Sequence, residues 1–484
     1  MSQIDPLREY LSLTYNELFE KNTEMRVLRE NGKDDNYFRD KIQSYLREER
    51  KIKAVTVCFT DIEGKMLMLD YNPGFLLDAW ENLTFDGSSI KGFTSQNMSD
   101  LRLKIDWSTF KWLPSDIFGP GKVLVFANVC NQDGSYYSAD YRSQLASFAQ
   151  DIFKKDKITA FAAPETEGIL LEGVDAEQNF DENNGFGLVT KGGYFNSLPQ
   201  DTLRIFIDRV AEALGALGFQ NEKDHPEVAP SQFELNFKYT DILHAADRIQ
   251  VYKLICRQVA KTLGCTASFL PKPKMNINGS GMHTNISLSV NGKNIFYDSS
   301  KENNVSDESR KFLTAILYHA KDLCLLLNSS VNSYRRLDPA YEAPNEIKFS
   351  GSDRSSMIRI PLGNEKSARI EVRSVAPDGN PYLIMYSLLK TGMHGIKASD
   401  DELLEYETIH ERREKLPANI YDALRYFKKS EWAKNVLGAE NQKKYISLKE
   451  SGANRCAKDL GGLVKNGEVM FHHEVTNQYL WGKF

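Results

Sequence analysis

The chain has 484 residues, a formal net charge of -5, 41% hydrophobic and 26% charged residues, a length that predicts one small and one large domain rather than a single compact one. The balance of charge leaves no basic footprint for nucleic acid, and no run approaches the roughly 18 apolar residues of a membrane span. Six scattered cysteines without a CxxC pair, behind the polar start Met1-Ser2-Gln3-Ile4-Asp5, point to buried thiols in a cytoplasmic protein with neither signal peptide nor disulfide framework.

Residues 1–51 are polar and charged and predict a helical extension. Leu7, Leu11, Tyr15 and Leu18 recur at spacings of four and three and suggest a first helix; Phe38, Ile42 and Leu46 suggest a second over Tyr37 to Arg47. Ala54 to Thr60 reads as a strand that turns at Glu63-Gly64 into a hairpin partner, Met66 to Leu69, and Val123 to Ala127 reads as a further strand. A small mixed sheet over residues 52–136 follows. From residue 137 to 484 the pattern changes to longer elements. Helices are expected over Ser143 to Phe153, Thr202 to Leu217 with Gly218 as C-cap, Ala245 to Leu263 and Ser309 to Leu327, and again from about residue 380. Strands are expected near residues 160–171, 227–238, 280–289, 356–360 and 369–374, with a loop over Asp175 to Gly187. The fold class is α+β.

Four segments place charge where a strand should carry apolar residues. Glu165 and Glu167 are two apart and share one face of an extended chain, as a solvated strand edge also would. Glu227 and Glu234 are seven apart, which a flat strand would send to opposite faces; a bulge or turn at Pro230 could restore a common face, and a surface hairpin fits the segment equally well. Asn278-Gly279-Ser280-Gly281 permits close backbone approach to a ligand just before His283. Arg369, Glu371 and Arg373 share a face opposite Ile370 and Val372. That alternation of cation, anion and cation suits a phosphate beside a metal, and an exposed salt-bridge ladder would read the same way. Together these carboxylates and one imidazole favour Mg²⁺ or Mn²⁺ over zinc, and two such ions suit phosphoryl transfer between anions. Arg336, Arg354 and Arg359 add fork-shaped donors. There is no GxxxxGK[ST] loop, so any ATP site belongs to another nucleotide-binding class.

The segments Asp86-Gly87-Ser88-Ser89-Ile90, Lys191-Gly192-Gly193-Tyr194-Phe195, His225 to Glu234, Lys272-Pro273, Asn278 to His283, Asn332 to Pro344, Asp353 to Pro361 and Arg369 to Arg373 occur in an order and spacing that resemble the type I, bacterial-type glutamine synthetase family over residues 52–484. The resemblance implies a small N-terminal β-grasp domain, a large catalytic domain with an antiparallel sheet and surrounding helices, and a dodecamer in which the loop around Asp86 serves a neighbour's site. It implies one metal held by Glu167, Glu227 and Glu234 and another by Glu165, His283 and Glu371. Glutamate would be held by Asn278, Gly279, Arg336 and Arg373, and the phosphoryl group in transfer by Arg354 and Arg359. Glu222, Ser287, Lys366 and Arg369, with Arg354, fall at ATP positions. Asp86, Ser89, Tyr194, Glu227 and Glu342 match an ammonium pocket, with Asp86 as proton acceptor and Glu342 on a flap that shields the acyl phosphate. The implied reaction is ligation of ammonia to the γ-carboxylate of glutamate through γ-glutamyl phosphate. Asn285 stands where many members have a second histidine, and Tyr406 lies where some carry a modified tyrosine but in a different sequence setting. A ligase joining glutamate to an amine, or a non-catalytic paralogue, are the competing readings; the first should alter the ammonium pocket and the second should lose metal ligands or arginines.

Overall fold

The computed structural model describes residues 9–179, 185–196, 201–337 and 343–459. It divides into two compact units, one of Met1–Asp61, Lys65–Ser143 and Asp208–Asn221, the other of Ile62–Gly64, Gln144–Ile207 and Glu222–Phe484.

In the first unit the described strands are β1 (Ala54–Thr60), β2 (Met66–Tyr71), β3 (Leu83–Asp86), β4 (Asp100–Trp112) and β5 (Lys122–Cys130), in the order β2-β1-β5-β4-β3. The β1–β5 pair is parallel and the others antiparallel. All seven residues of β1 are buried, and apart from Thr56 and Thr60 they are apolar. The sequence reading missed β3 and β4, although Leu101, Leu103, Ile105 and Trp107 alternate inward along β4 as a half-buried strand requires.

Two helices, α1 (Tyr15–Glu30) and α2 (Asp35–Glu48), pack on β4. Of the helix expected from Leu7 onward, Leu7 lies outside the described residues, and within them α1 starts at Tyr15, not at Leu11. Thr14 Oγ1 accepts from the Glu17 amide at 3.3 Å while the Glu17 carboxylate accepts from the Thr14 amide at 2.8 Å. This capping box fixes the first turn and leaves Leu11 outside it. Asn22, 1% exposed within α1, accepts from the Trp112 amide and donates to the Trp112 and Ala216 carbonyls, so a buried amide has all its partners.

The second unit is built on β6 (Ile158–Glu172), β7 (Asn221–Pro226), β8 (Gln232–Phe237), β9 (Thr240–Asp241), β10 (Cys265–Ser268), β11 (Met282–Val290), β12 (Lys293–Asn294), β13 (Glu346–Ser350), β14 (Ser356–Arg359) and β15 (Ile370–Val372). The main path through the sheet is β13-β14-β15-β11-β6-β8-β7. Its registered pairs are antiparallel apart from β13–β14. Long β6 pairs with β11 over its first half and with β8 and β10 over its second. The largely buried helix Ile242–Thr262 packs on β6 and β10, and helix Pro381–Lys397 packs on it and on helix Asp307–Tyr318.

Two expectations need correction here. The single helix over Ser309 to Leu327 is two, Asp307–Tyr318 and Ala320–Leu327, broken at His319 (φ -90°, ψ 14°). There His319 bonds Asp322 at 3.0 Å and stacks on Trp432 at 4.6 Å, so tertiary contacts override a continuous helical pattern. The strand expected over 227–238 is a hairpin between β7 and β8. Pro230 and the left-handed Ser231 (φ 61°) reverse the chain, and the Glu227 amide donates to the Gln232 carbonyl at 2.8 Å. No helix among the described residues is long and apolar enough to cross a membrane, and the five cysteines with described side chains are buried and form no disulfide with one another.

Candidate active site

Strand register assembles the site. Across neighbouring strands of the second unit, Arg359 faces Glu371, Glu371 faces Asn285, His283 faces Glu165, and Glu167 faces Glu234. Because side chains alternate with period two, all these groups emerge on one side of the sheet. Ile358, Val372, Ile370 and Ile286 occupy the opposite side and are 0% exposed. The charged face is therefore a built basin and not a solvated edge: Glu371 is 1%, Glu234 4% and Glu167 8% exposed.

The basin contains two groups of possible cation ligands. Glu165, His283 and Glu371 offer ligand atoms that all lie within 4.8 Å of one another, and so do His225, Glu227 and Glu234. His283 Nδ1 is 3.7 Å from both Glu165 and Glu371, and its Nε2 is 3.9 Å from Glu167. The first trio is the one the resemblance implied. In the second, His225 stands where Glu167 was expected. Glu167 lies between the trios, and its Oε2 accepts from the Gly281 amide at 2.8 Å and from Gln232 Nε2 at 3.0 Å. A Cβ on Gly281 would come within 2.6 Å of Arg336 Nη2 and 2.9 Å of His283 Nε2, so any larger residue there displaces one of those side chains. His225 was not singled out from the sequence, although its spacing of two from Glu227 was the available signal. It is buried, its Nδ1 lies 3.4 Å from Glu227, and its Nε2 has no hydrogen-bond partner. An orphaned imidazole nitrogen among buried carboxylates fits a hard divalent cation such as Mg²⁺ or Mn²⁺.

The electrostatics agree. Burial, then the charge of Glu167, pushes the Glu227 carboxyl up to about 7. Burial, then Glu167, Glu165 and Glu227, pushes Glu234 up to about 9. Burial also works to raise Glu165, but hydrogen bonding and charge from His283, with Lys223 and Asn285, outweigh it and hold that carboxyl at about 2. Such crowding of carboxylates is the condition that cations relieve.

Arginines close the other end. Glu371 binds Arg359 Nη1 at 2.8 Å with one oxygen and Arg373 Nη1 at 2.6 Å with the other. Arg336, 5% exposed, donates to the Arg373 carbonyl at 2.9 Å. Burial, the largest influence, brings Arg336 down to about 10. Asn285 bridges two functions: its amide donates to Glu165 at 3.2 Å and its oxygen accepts from Arg369 Nε at 2.9 Å. Arg354 is exposed, and its charge acts on Glu227. Tyr194 stacks on Phe195 at 3.8 Å, and both rings meet the edge of His225. Asn278 and Gly279 precede β11, and the Gly279 carbonyl accepts from Gln232. A Cβ on Gly279 would lie 2.6 Å from the Pro271 carbonyl and 2.8 Å from Arg336 Cγ. Gly279→Ala is therefore expected to displace the Arg336 side chain or the Pro271 backbone and to lower the melting temperature.

None of the described contacts of this basin involves Ser287, Glu222 or Lys366. Ser287 sits four residues beyond His283 on β11, roughly 13 Å along the strand. Glu222 in β7 and Lys366 in the turn before Arg369 are exposed. Asp86 and Ser89 belong to the first unit. Asp86 accepts from the Ser88 amide and hydroxyl at 2.8 and 2.6 Å and from the Ser89 hydroxyl at 2.6 Å, which holds its carboxyl below the usual range. Glu342 lies outside the described residues. Tyr406 is 5% exposed and packed against Tyr318 and His319, a poor target for modification.

Comparison with known proteins gives a consistent result. Residues 51–132 match the family model described as glutamine synthetase, beta-Grasp domain, and residues 138–461 match glutamine synthetase, catalytic domain. Curated relatives include glutamine synthetases of Thermotoga maritima (36% identical, 83% of this chain and 93% of that one) and Staphylococcus aureus (34%, 85% and 94%). Among solved structures, one titled GmaS/ADP complex superposes with a TM-score of 0.74 at 26% identity, covering 88% of this chain and 99% of that one. Plasmodium falciparum glutamine synthetase shares the fold, with a TM-score of 0.76 at 23% identity over 96% of this chain and 100% of that one.

Proposed function

The chain belongs to the glutamine synthetase family, makes glutamine from glutamate and ammonia with ATP, and we propose that the basin and its arginines divide that reaction between them as follows. Arg336 and Arg373, with Asn278 and Gly279, hold glutamate. Its γ-carboxylate oxygen attacks the γ-phosphorus of ATP, the bond to ADP breaks, and γ-glutamyl phosphate forms. Arg354 and Arg359 stabilise the phosphoryl oxygens in transfer, while Glu222, Ser287, Lys366 and Arg369 serve the nucleotide. Two divalent cations, Mg²⁺ or Mn²⁺, when held by Glu165, His283 and Glu371 and by Glu227 and Glu234 with Glu167 or His225, supply charge neutralisation between the anionic reactants.

Ammonium then enters beside Tyr194, Glu227, Ser89, Asp86 and Glu342, and loses a proton to Asp86. Ammonia attacks the acyl carbon, and the carbon–oxygen bond to phosphate breaks. Because its serine partners keep Asp86 ionised, it attracts ammonium and is free to accept the proton that must leave before nitrogen has a lone pair with which to attack. Asp86 is supplied by a neighbouring copy, in a dodecamer of type I architecture found in the cytoplasm. We assign residues 1–51 to a helical extension, 52–136 to the β-grasp domain and 137–484 to the catalytic domain.

The observation that carries this reading is Glu371, whose two oxygens are shared between Arg359 and Arg373 while it lies 3.7 Å from His283 Nδ1. Glutamate labelled with ¹⁸O in its γ-carboxylate tests it. One labelled oxygen is expected in each phosphate released, because the acyl phosphate passes that oxygen on; unlabelled phosphate alongside glutamine would contradict an acyl-phosphate route.

A further inference from the structure

Arg336 ends a helix of only six residues, Val331–Arg336, too short to hold its own shape. Its first turn is a capping box of two serines. Ser330 Oγ accepts from the Ser333 amide at 3.1 Å, and Ser333 Oγ accepts from the Ser330 amide at a longer 3.3 Å. A glutamate or glutamine ordinarily fills the second place; serine is shorter and uncharged. The missing carboxylate comes from elsewhere in the chain. Ser330 Oγ donates to Asp378 Oδ2 at 2.5 Å and Ser333 Oγ donates to Asp378 Oδ1 at 3.1 Å.

The loop that carries Asp378 is itself fixed. Lys253, buried in helix Ile242–Thr262, donates to the Pro377 carbonyl. Asn380 caps helix Pro381–Lys397 through the Tyr382 and Leu383 amides. On its far side the short helix is bolted by Asn332, which accepts from the Lys272 amide at 2.7 Å and donates to the Lys272 carbonyl at 3.0 Å. Arg336 thus hangs from a turn gripped between Asp378 and the segment leading to Asn278 and Gly279. Its Cγ and Cβ leave no room for even a methyl group on Gly279, so a small tilt of the turn moves the guanidinium within the basin.

We propose that Asp378 is a positioning residue for substrate glutamate: it locks the serine capping box of helix Val331–Arg336 and so sets where Arg336 meets the substrate. This rests on the reading that Arg336 holds glutamate. Steady-state kinetics on the intact enzyme with Asp378→Ala, Asp378→Asn, Ser330→Ala and Arg336→Lys separate the two. Asp378→Ala is expected to raise KM for glutamate about tenfold or more, with KM for ATP and kcat within about twofold. Asp378→Asn, isosteric and still an acceptor, is expected to lie between, and it decides the question if the alanine variant does not fold. Ser330→Ala added to Asp378→Ala is expected to raise KM little further, because both remove one linkage. If Arg336→Lys raises KM for glutamate while Asp378→Asn and Asp378→Ala do not, the proposal is overturned and the reading of Arg336 survives. If Arg336→Lys leaves KM unchanged, both fall. An equal rise in KM for ATP and for glutamate marks general loosening and also overturns it.

Discussion

Glu371→Gln is expected to lower kcat/KM by about 10³ and to remove one of two tight Mn²⁺ sites per chain. The side chain is 1% exposed, faces His283 at 3.7 Å and pairs with Arg359 and Arg373. Glutamine keeps the volume but loses the charge. One of its two ends becomes a donor that meets a guanidinium donor, leaving a buried cation short of an acceptor. The same change removes a carboxylate ligand. Loss of cation-assisted charge stabilisation amounts to several kcal/mol, and each 1.36 kcal/mol is tenfold in rate. Mn²⁺ titration followed by electron paramagnetic resonance reports the sites independently of turnover. Full Mn²⁺ stoichiometry with activity within about tenfold of the parent would remove Glu371 from the proposed ligand set.

The cation-free protein is expected to lose thermal stability as pH rises from about 5 to 7, where Glu227 and Glu234 act together and before Lys253, brought down to about 7 by burial, begins to add stability with the opposite sign; divalent cations are expected to restore it most at the upper end of that window. Glu227 and Glu234 move from the ordinary 4.5 up to about 7 and about 9 in the folded state. Between 4.5 and those values the folded protein holds more protons than the unfolded chain, so its stability falls as pH rises. Glu165, held at about 2, has the opposite sign and adds stability as pH rises from about 2 to 4.5, below the window in question. A cation that binds only the folded basin displaces those protons and stabilises by mass action. Melting curves at pH 5, 6 and 7, with chelator and with Mn²⁺, measure both effects. A chelated protein whose melting temperature is flat or rises over that range contradicts the buried, crowded state of the two carboxylates.

What could be read from the sequence follows the range over which each signal acts. The alternation Arg369, Glu371, Arg373 against Ile370 and Val372 was legible because side-chain direction in a strand is local, and β15 carries it as expected. The distance of seven between Glu227 and Glu234 was ambiguous until Ser231 reversed the chain. His225 joined the ligand groups only through that hairpin. The capping box Thr14 to Glu17 was in plain view and would have corrected the start of α1. Asp378 left no local trace at all, because its partners lie 45 and 48 residues earlier in the chain.

The assay that bears most directly on the assigned reaction supplies purified enzyme with ATP, Mg²⁺, glutamate and ammonium, and measures glutamine and phosphate for the parent and for Asp86→Ala. The expected result is stoichiometric glutamine and phosphate from the parent, with a large loss in Asp86→Ala that is greatest at low ammonium. Turnover with a primary amine and none with ammonium would contradict the assignment of ammonia as the acceptor, and full activity in Asp86→Ala would contradict the role given to that carboxylate.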